Sequence, residues 1–341
     1  MTNEHADAIS NAINRAGYIN KIILRNVGLR DDQALKIIRN MNKQVVRHLD
    51  LSYNPLLTKN FYRELSELLA DKTIALERIE IEGNNVGDQI LHEMCTAMIE
   101  AKKIVYLNVS KNRITDVGAR DLALLIQECP TLRLLFVHYN RVLGFGGVEI
   151  ADAISRSKSL QVFDISYNSL CGSGITKKKE EMTEEESKKK EEEKKANAGK
   201  KKKKKTINFE EGTKPAAKGF AELFSRGFSE NWSDAFASNK SLLHVDMSHN
   251  HLELTDVEII AEGLKDNQTI LGIHFAGNYG EVNTQGFIKP AIPLSLSQAS
   301  MVTRIQADEN MGRQAPWQAD AGEDDENEIN ADVEKWVEKE N

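Results

Sequence analysis

Cysteine is scarce in this 341-residue chain: only Cys95, Cys129 and Cys171 occur. Their odd number and their spacing fit neither a zinc site nor a disulfide framework, and point to reduced thiols in a cytosolic compartment. No apolar run approaches the length needed to cross a bilayer, and the opening MTNEHADAIS lacks the basic and apolar character of a secretion signal. Catalytic signatures are missing too. There is no phosphate loop, no HExxH, no dinucleotide fingerprint and no CxxC pair. Gly144, Gly146 and Gly147 come without the lysine and hydroxyl residue of a phosphate loop, and read as the start of a helix. Apolar residues make up 40% of the chain, low for a fully globular protein, so part of it is expected to stay unfolded. Together the absences lead us to expect a soluble cytoplasmic protein that is not an enzyme and holds neither cofactor nor metal.

What is abundant is repetition. Residues 160–170 read LQVFDISYNSL, with Leu160, Phe163, Ile165 and Leu170 at the first, fourth, sixth and eleventh positions and Asn168 at the ninth. Alternation turns Phe163 and Ile165 to one side, and Val162, Asp164 and Ser166 to the other. Related segments begin at 19, 46, 76, 104, 132, 242 and 270. The second supplies Val46, Leu49, Leu51 and Leu56, for example. Asn54, Asn84, Asn112, Asn140, Asn250 and Asn278 recur at the ninth position, while Val27 stands there in the first copy. This is the leucine-rich-repeat consensus, and a period near 28 residues marks its long, helix-containing type. One copy cannot bury its apolar side alone. The copies are therefore expected to stack into an α/β solenoid, a horseshoe of about eight repeats with parallel concave strands and convex helices.

The spacing also divides the chain. Residues 1–18 are expected to form a capping helix, with Ala6, Ile9, Ala12 and Ile13 over the open end of the first repeat. The repeat domain is expected over 19–290. Val117, Ala119, Leu122, Leu125 and Ile126 mark one of its helices, and Val257, Ile259, Ile260 and Leu264 another. Thr115 with Asp116, and Thr255 with Asp256, read as caps of those helices. Between the repeats starting at 160 and 242 lie 82 residues instead of 28, so something is inserted. We assign residues 172–213 as a disordered Lys/Glu-rich insert at a loop, because 177–205 holds fourteen lysines, eight glutamates and almost nothing apolar. From about Pro215, Phe220, Leu223, Phe224, Phe228, Trp232 and Phe236 recur at helical spacing and are expected to resume a helix. Residues 291–341 are expected to close the last repeat and end in an acidic tail, with ten carboxylates after Ala319 against Lys335 and Lys339. Tail and insert carry opposite charge and could contact each other.

Function would live on the concave face, where the third, fifth and seventh strand positions point. Tyr106, Leu134, Phe136 and Val162 form a contiguous apolar strip there, flanked by His138 and Asp164, with Tyr139 and Tyr167 at the strand ends. Exposed apolar side chains that no core requires mark a partner's footprint, so these eight residues are the expected protein-binding site. The competing reading is that the chain's own tail covers the strip. Asp164, Asp246 and His274 share one row with His244 beside it, yet nothing in the spacing fixes a ligand geometry. Serines recur at equivalent positions (Ser52, Ser110, Ser166, Ser248), which makes them a repeat property and not a singular nucleophile. The run Lys200, Lys201, Lys202, Lys203, Lys204 and Lys205 is the sharpest charge feature. It reads as a solvated loop, a contact for a polyanion or microtubule surface, or a nuclear-import signal.

The segments LDLSYNPL, LNVSKNRITDVGARDLA and FDISYNSL resemble the ribonuclease-inhibitor-like leucine-rich repeats, the class of ribonuclease inhibitor, tropomodulin, Ran GTPase-activating protein and the NLR receptors. The resemblance implies a surface for binding other proteins. The ending ILGIHFAGNYGEVNTQGFI is similar to a segment of large leucine-rich-repeat proteins of ciliated protists, and repeats of this class occur among axonemal regulatory subunits. That implies a ciliary, axonemal or cytoskeletal setting. The likeness to Ran GTPase-activating protein, with its acidic tail, implies an alternative role as a small-GTPase regulator, in which Arg78 or Arg113 would act at the rim.

Overall fold

A computed structural model of the protein describes residues 1–170, 227–265, 267–282 and 288–290. Eight three-residue strands form one parallel sheet in chain order: β1 Lys21–Ile23, β2 His48–Asp50, β3 Arg78–Glu80, β4 Tyr106–Asn108, β5 Leu134–Phe136, β6 Val162–Asp164, β7 His244–Asp246 and β8 Gly272–His274. The described helices are α1 Asn3–Arg15, α2 Asp31–Asn40, α3 Lys59–Leu69, α4 Asp88–Ala101, α5 Asp116–Glu128, α6 Gly144–Arg156, α7 Phe228–Ser238 and α8 Leu254–Glu262. An antiparallel pair, β9 Gly280–Val282 and β10 Ile288–Pro290, follows β8 and packs beside α8. Parallel neighbours need a crossover, and each helix supplies one.

The central residue of each strand faces the helices and joins one core that runs from Ile13 to Phe275. Leu160 and Leu242 both belong to it, and Val162 pairs with His244, so the stack is continuous across the interrupted period. The insert expected at 172–213, the start of the resumed helix at Phe220, Leu223 and Phe224, and the segment expected at 291–341 lie outside the described residues.

Buried asparagines tie the turns together. Asn112 donates from Nδ2 to the carbonyls of Ile81, Val109 and Ser110, and its Oδ1 accepts the N–H groups of Asn84 and Val86. Asn250 does the same on its donor side, reaching Ile165 at 3.0 Å across the insertion. Its Oδ1 is unpartnered. By the pattern of Val86, Val142 and Leu252, that oxygen should accept from Leu170, the last described residue before the insertion. Among the described residues the ladder is open at this one oxygen.

Four apolar assignments need correction. Leu56 is 48% exposed, and Leu57 fills the core instead. The second repeat is 30 residues long, so its apolar pattern resumes one residue late. Val117 and Ile259 lie on exposed helix surface, and in α1 the inward residues are Ala6, Ser10 and Ile13, with Ala12 outside. Likewise, Thr255 lies inside α8, whose N-cap is Glu253.

Candidate partner-binding face

Strand positions three and five point away from the helices and stand in register across all eight strands. In the first four repeats these positions, with the seventh and eighth, build a charged layer. Asp50, Glu80 and Glu82 are buried, whereas Arg25, Arg78 and Lys111 remain partly exposed above them. Glu82 is the hub. Arg25 Nη2 lies 3.0 Å and Lys111 Nζ 3.1 Å from its carboxylate, which also accepts the Tyr53 hydroxyl. Burial alone would push the Glu82 carboxyl up, but the hydrogen bonds from Tyr53 and Lys111 and the charges of Lys111 and Arg25 outweigh it and hold it below its ordinary value. Glu80 follows the same logic: burial is overcome by His48 at 2.7 Å and by Arg78 at 2.9 Å.

Farther along, Tyr106, Leu134 and Val162 stand side by side on β4, β5 and β6, with Phe136 one step on, and form a cluster separate from the main core. The Tyr106 and Phe136 rings lie 5.1 Å apart, and the Arg78 guanidinium sits 3.7 Å from the Tyr106 ring centre. The strip is where the sequence placed it, yet it is not open. Its four residues are only 2–5% exposed. It is a second small core on the concave side, closed laterally by its own members and by Arg78. Arg78 therefore stands over the centre of the face and not at the rim.

The accessible chemistry is at the eighth position of each repeat. Asn26, Tyr53, Gly83, Lys111, Tyr139, Tyr167, His249 and Gly277 all have positive φ, between 51° and 70°. Strand ends thus turn through the left-handed region eight times, and the side chains project as one row. Tyr139 stacks on Tyr167 at 4.0 Å, and Tyr167 on His249 at 4.2 Å. Lys111 Nζ lies 5.5 Å from the Tyr139 ring and 5.9 Å from the Tyr53 ring, and Arg25 covers Tyr53 at 4.5 Å. Gly83 is where the Tyr53 ring crosses: a Cβ there would come within 2.9 Å of it. A continuous ladder of cations and rings results, with Tyr139 39% exposed.

His138 and Asp164 connect strip and rim. His138 Nδ1 is 2.9 Å from Asp164 Oδ2 and 3.0 Å from Ser110 Oγ, and its ring meets Tyr139 edge-on. Both contacts use the same ring nitrogen. A nucleophile–base–acid relay needs two, so this trio lacks that geometry. Burial would lower the His138 pKa, but Asp164 raises it above its usual value. On β7, burial and the neighbouring Asp164 charge push Asp246 up to about 7. Burial, then His274, lowers His244 to about 3. Asp164, Asp246 and His274 do share a row, as expected, but no group able to hold a metal ion occurs among the described residues.

Of the eight expected site residues, four form the buried strip, Tyr139 and Tyr167 form the rim, and His138 and Asp164 join them. Sequence reasoning missed Arg25, Lys111 and His249. The signal for Lys111 and His249 was present, since both occupy the tyrosines' own repeat position. Lys200 and the five lysines after it lie outside the described residues.

Among the described residues no helix is long and apolar enough to cross a membrane. No curated protein matches the chain. A family model described as "Leucine Rich repeat" matches residues 101–123 and 238–261, the first running from the end of α4 through β4 into α5, the second from the end of α7 through β7 into α8. These matches fall on opposite sides of the insertion, in repeats that share one sheet and one core. With in-register parallel strands, alternating helices and a buried asparagine ladder, the chain is a leucine-rich-repeat protein.

Proposed function

We propose that the protein is a non-catalytic scaffold that holds another protein against its concave face, with the rim ladder as the first contact. The stacked Tyr139–Tyr167–His249 row carries this reading. Rings already packed against one another lose little freedom on binding, and aromatic and cationic side chains dominate protein interfaces. Lys111 and Arg25 extend the same row with donors for a partner's carbonyls or carboxylates. The setting we propose is a cytoplasmic assembly of ciliary, axonemal or cytoskeletal type; its support is the sequence resemblance noted above.

Photo-crosslinking tests the reading. A crosslinkable amino acid replaces Tyr139 or Tyr167 in the full chain expressed in its own cells, with Leu124 on the exposed helix side as control. Capture of the same protein from both rim positions, and not from the control, is expected. Capture at Leu124 alone refutes the concave-face reading. A fluorescent tag on the chain tests the setting, which is lost if the signal is absent from cilia and cytoskeleton.

A further inference from the structure

Over much of the described surface the chain supplies its arginines with partners of its own. Arg39 pairs with Glu64, Arg47 with Glu77, Arg120 with Glu149 and Arg156 with Asp152. Arg113 and Arg141 break the pattern. Each stands at the tenth position of its repeat, two residues beyond the rim residues Lys111 and Tyr139, and each is exposed. Among the described residues neither guanidinium has an ion pair or a hydrogen bond. The Arg141 N–H donates to the Ile114 carbonyl at 2.8 Å, so the two side chains rise from adjoining turns. Carboxylates at the neighbouring helix starts are already committed: Asp88 accepts the N–H groups of Thr115 and Gly118, and Asp116 those of Leu143 and Gly146. Lys111 is spent on Glu82.

Exposed apolar surface gathers at the same corner. Val117, at the start of α5, is 64% exposed and Leu143, just before α6, is 44% exposed. Because Asp116 holds the Leu143 N–H at 2.7 Å, these two also lie on adjoining turns. We propose, resting on the scaffold reading above, that this corner docks an acidic segment of the partner protein in which carboxylates and apolar side chains are interspersed. Free guanidiniums take carboxylates with two parallel hydrogen bonds, and the flanking Val117 and Leu143 reward an apolar contact with desolvation. Nucleic acid suits the corner less well. Bases stack on open ring faces, whereas Tyr139, Tyr167 and His249 turn their faces toward one another.

Fluorescence anisotropy with the full chain tests this, the probe being a labelled glutamate–leucine peptide of about ten residues, long enough to cover both turns. The peptide should bind, and bind more weakly as salt rises. Arg113→Glu combined with Arg141→Glu should weaken it about tenfold while leaving the melting temperature at the parent's value. Val117→Ser combined with Leu143→Ser should weaken it to a similar degree. Unchanged affinity in the arginine variant, or no binding of the peptide at all, overturns the proposal. So does tighter binding of polyuridylate or of phosphatidylserine vesicles through the same two arginines, which would make the corner a nucleic-acid or lipid site. The photo-crosslinks at Tyr139 and Tyr167 report docking of any protein, so a failure here that leaves them intact strikes the partner's chemistry and not the scaffold.

Discussion

Asn112 holds five backbone partners with one side chain, and Asn250 holds three. Replacement by alanine leaves those buried groups unpaired. At about 1 kcal/mol or more each, Asn112→Ala should cost about 3–5 kcal/mol and Asn250→Ala distinctly less. Denaturant midpoints of the two variants check the order, and equal losses would contradict the open ladder at Asn250. Asp246 makes a second test. Its carboxyl is raised from 3.8 to about 7 by burial and Asp164, so the folded chain keeps a proton that the unfolded chain has released. Stability attributable to Asp246 therefore falls as pH rises between those values. His138, also raised, contributes in the same sense, its share being lost as pH passes its elevated value. Asp246→Asn keeps an oxygen for the Ser248 N–H and removes the charge. Its melting temperature should exceed the parent's clearly at pH 8 and little at pH 4, and a gain independent of pH rejects the assignment. The asparagines were legible because each repeats at a fixed offset. Leu57 was not, because only the three-dimensional path around Pro55 decides which of two adjacent leucines turns inward.

Among the elements, helix starts show how neighbouring repeats are locked. Thr115 accepts the Val117 N–H of its own helix α5, as its sequence position suggests. Asp116 serves the next helix: its carboxylate accepts the N–H groups of Leu143 at 2.7 Å and Gly146 at 3.0 Å, at the start of α6. Asp88 likewise accepts from Thr115 and Gly118. The carboxylate meets the positive end of the following helix, so one residue caps across the repeat boundary. Asp116→Ala should cost about 1–2 kcal/mol and speed amide exchange at Gly146 and Gly147 more than within α5 itself. Equal protection in both helices would argue for an ordinary cap. A sequence shows the Thr-Asp pair but not that its second member works 27–30 residues away. Gly146 is explained by the same crossing: a Cβ there would stand 2.7 Å from that of Ala119 and 2.8 Å from Asp116.

For the molecule as a whole, the 28-residue period and its single 82-residue lapse made the number of repeats and the site of insertion readable. The burial of the apolar strip was not readable, since the exposure of a side chain on the sheet's free side leaves no periodic trace. Because β6 and β7 share a ladder and a core, tryptic cleavage within 177–205 should leave the two fragments co-eluting as one folded particle in size-exclusion chromatography. Separate elution would mean that the covalent link, not the packing, joins them. The unpaired Asn250 oxygen has a mechanical consequence. If the chain is stretched between its ends, the asparagine ladder should open first between the sixth and seventh turns, where Asn250 bridges the two through its donor side alone. A pull on the ends would then be felt at this seam before the asparagine ladder gave way anywhere else among the described repeats.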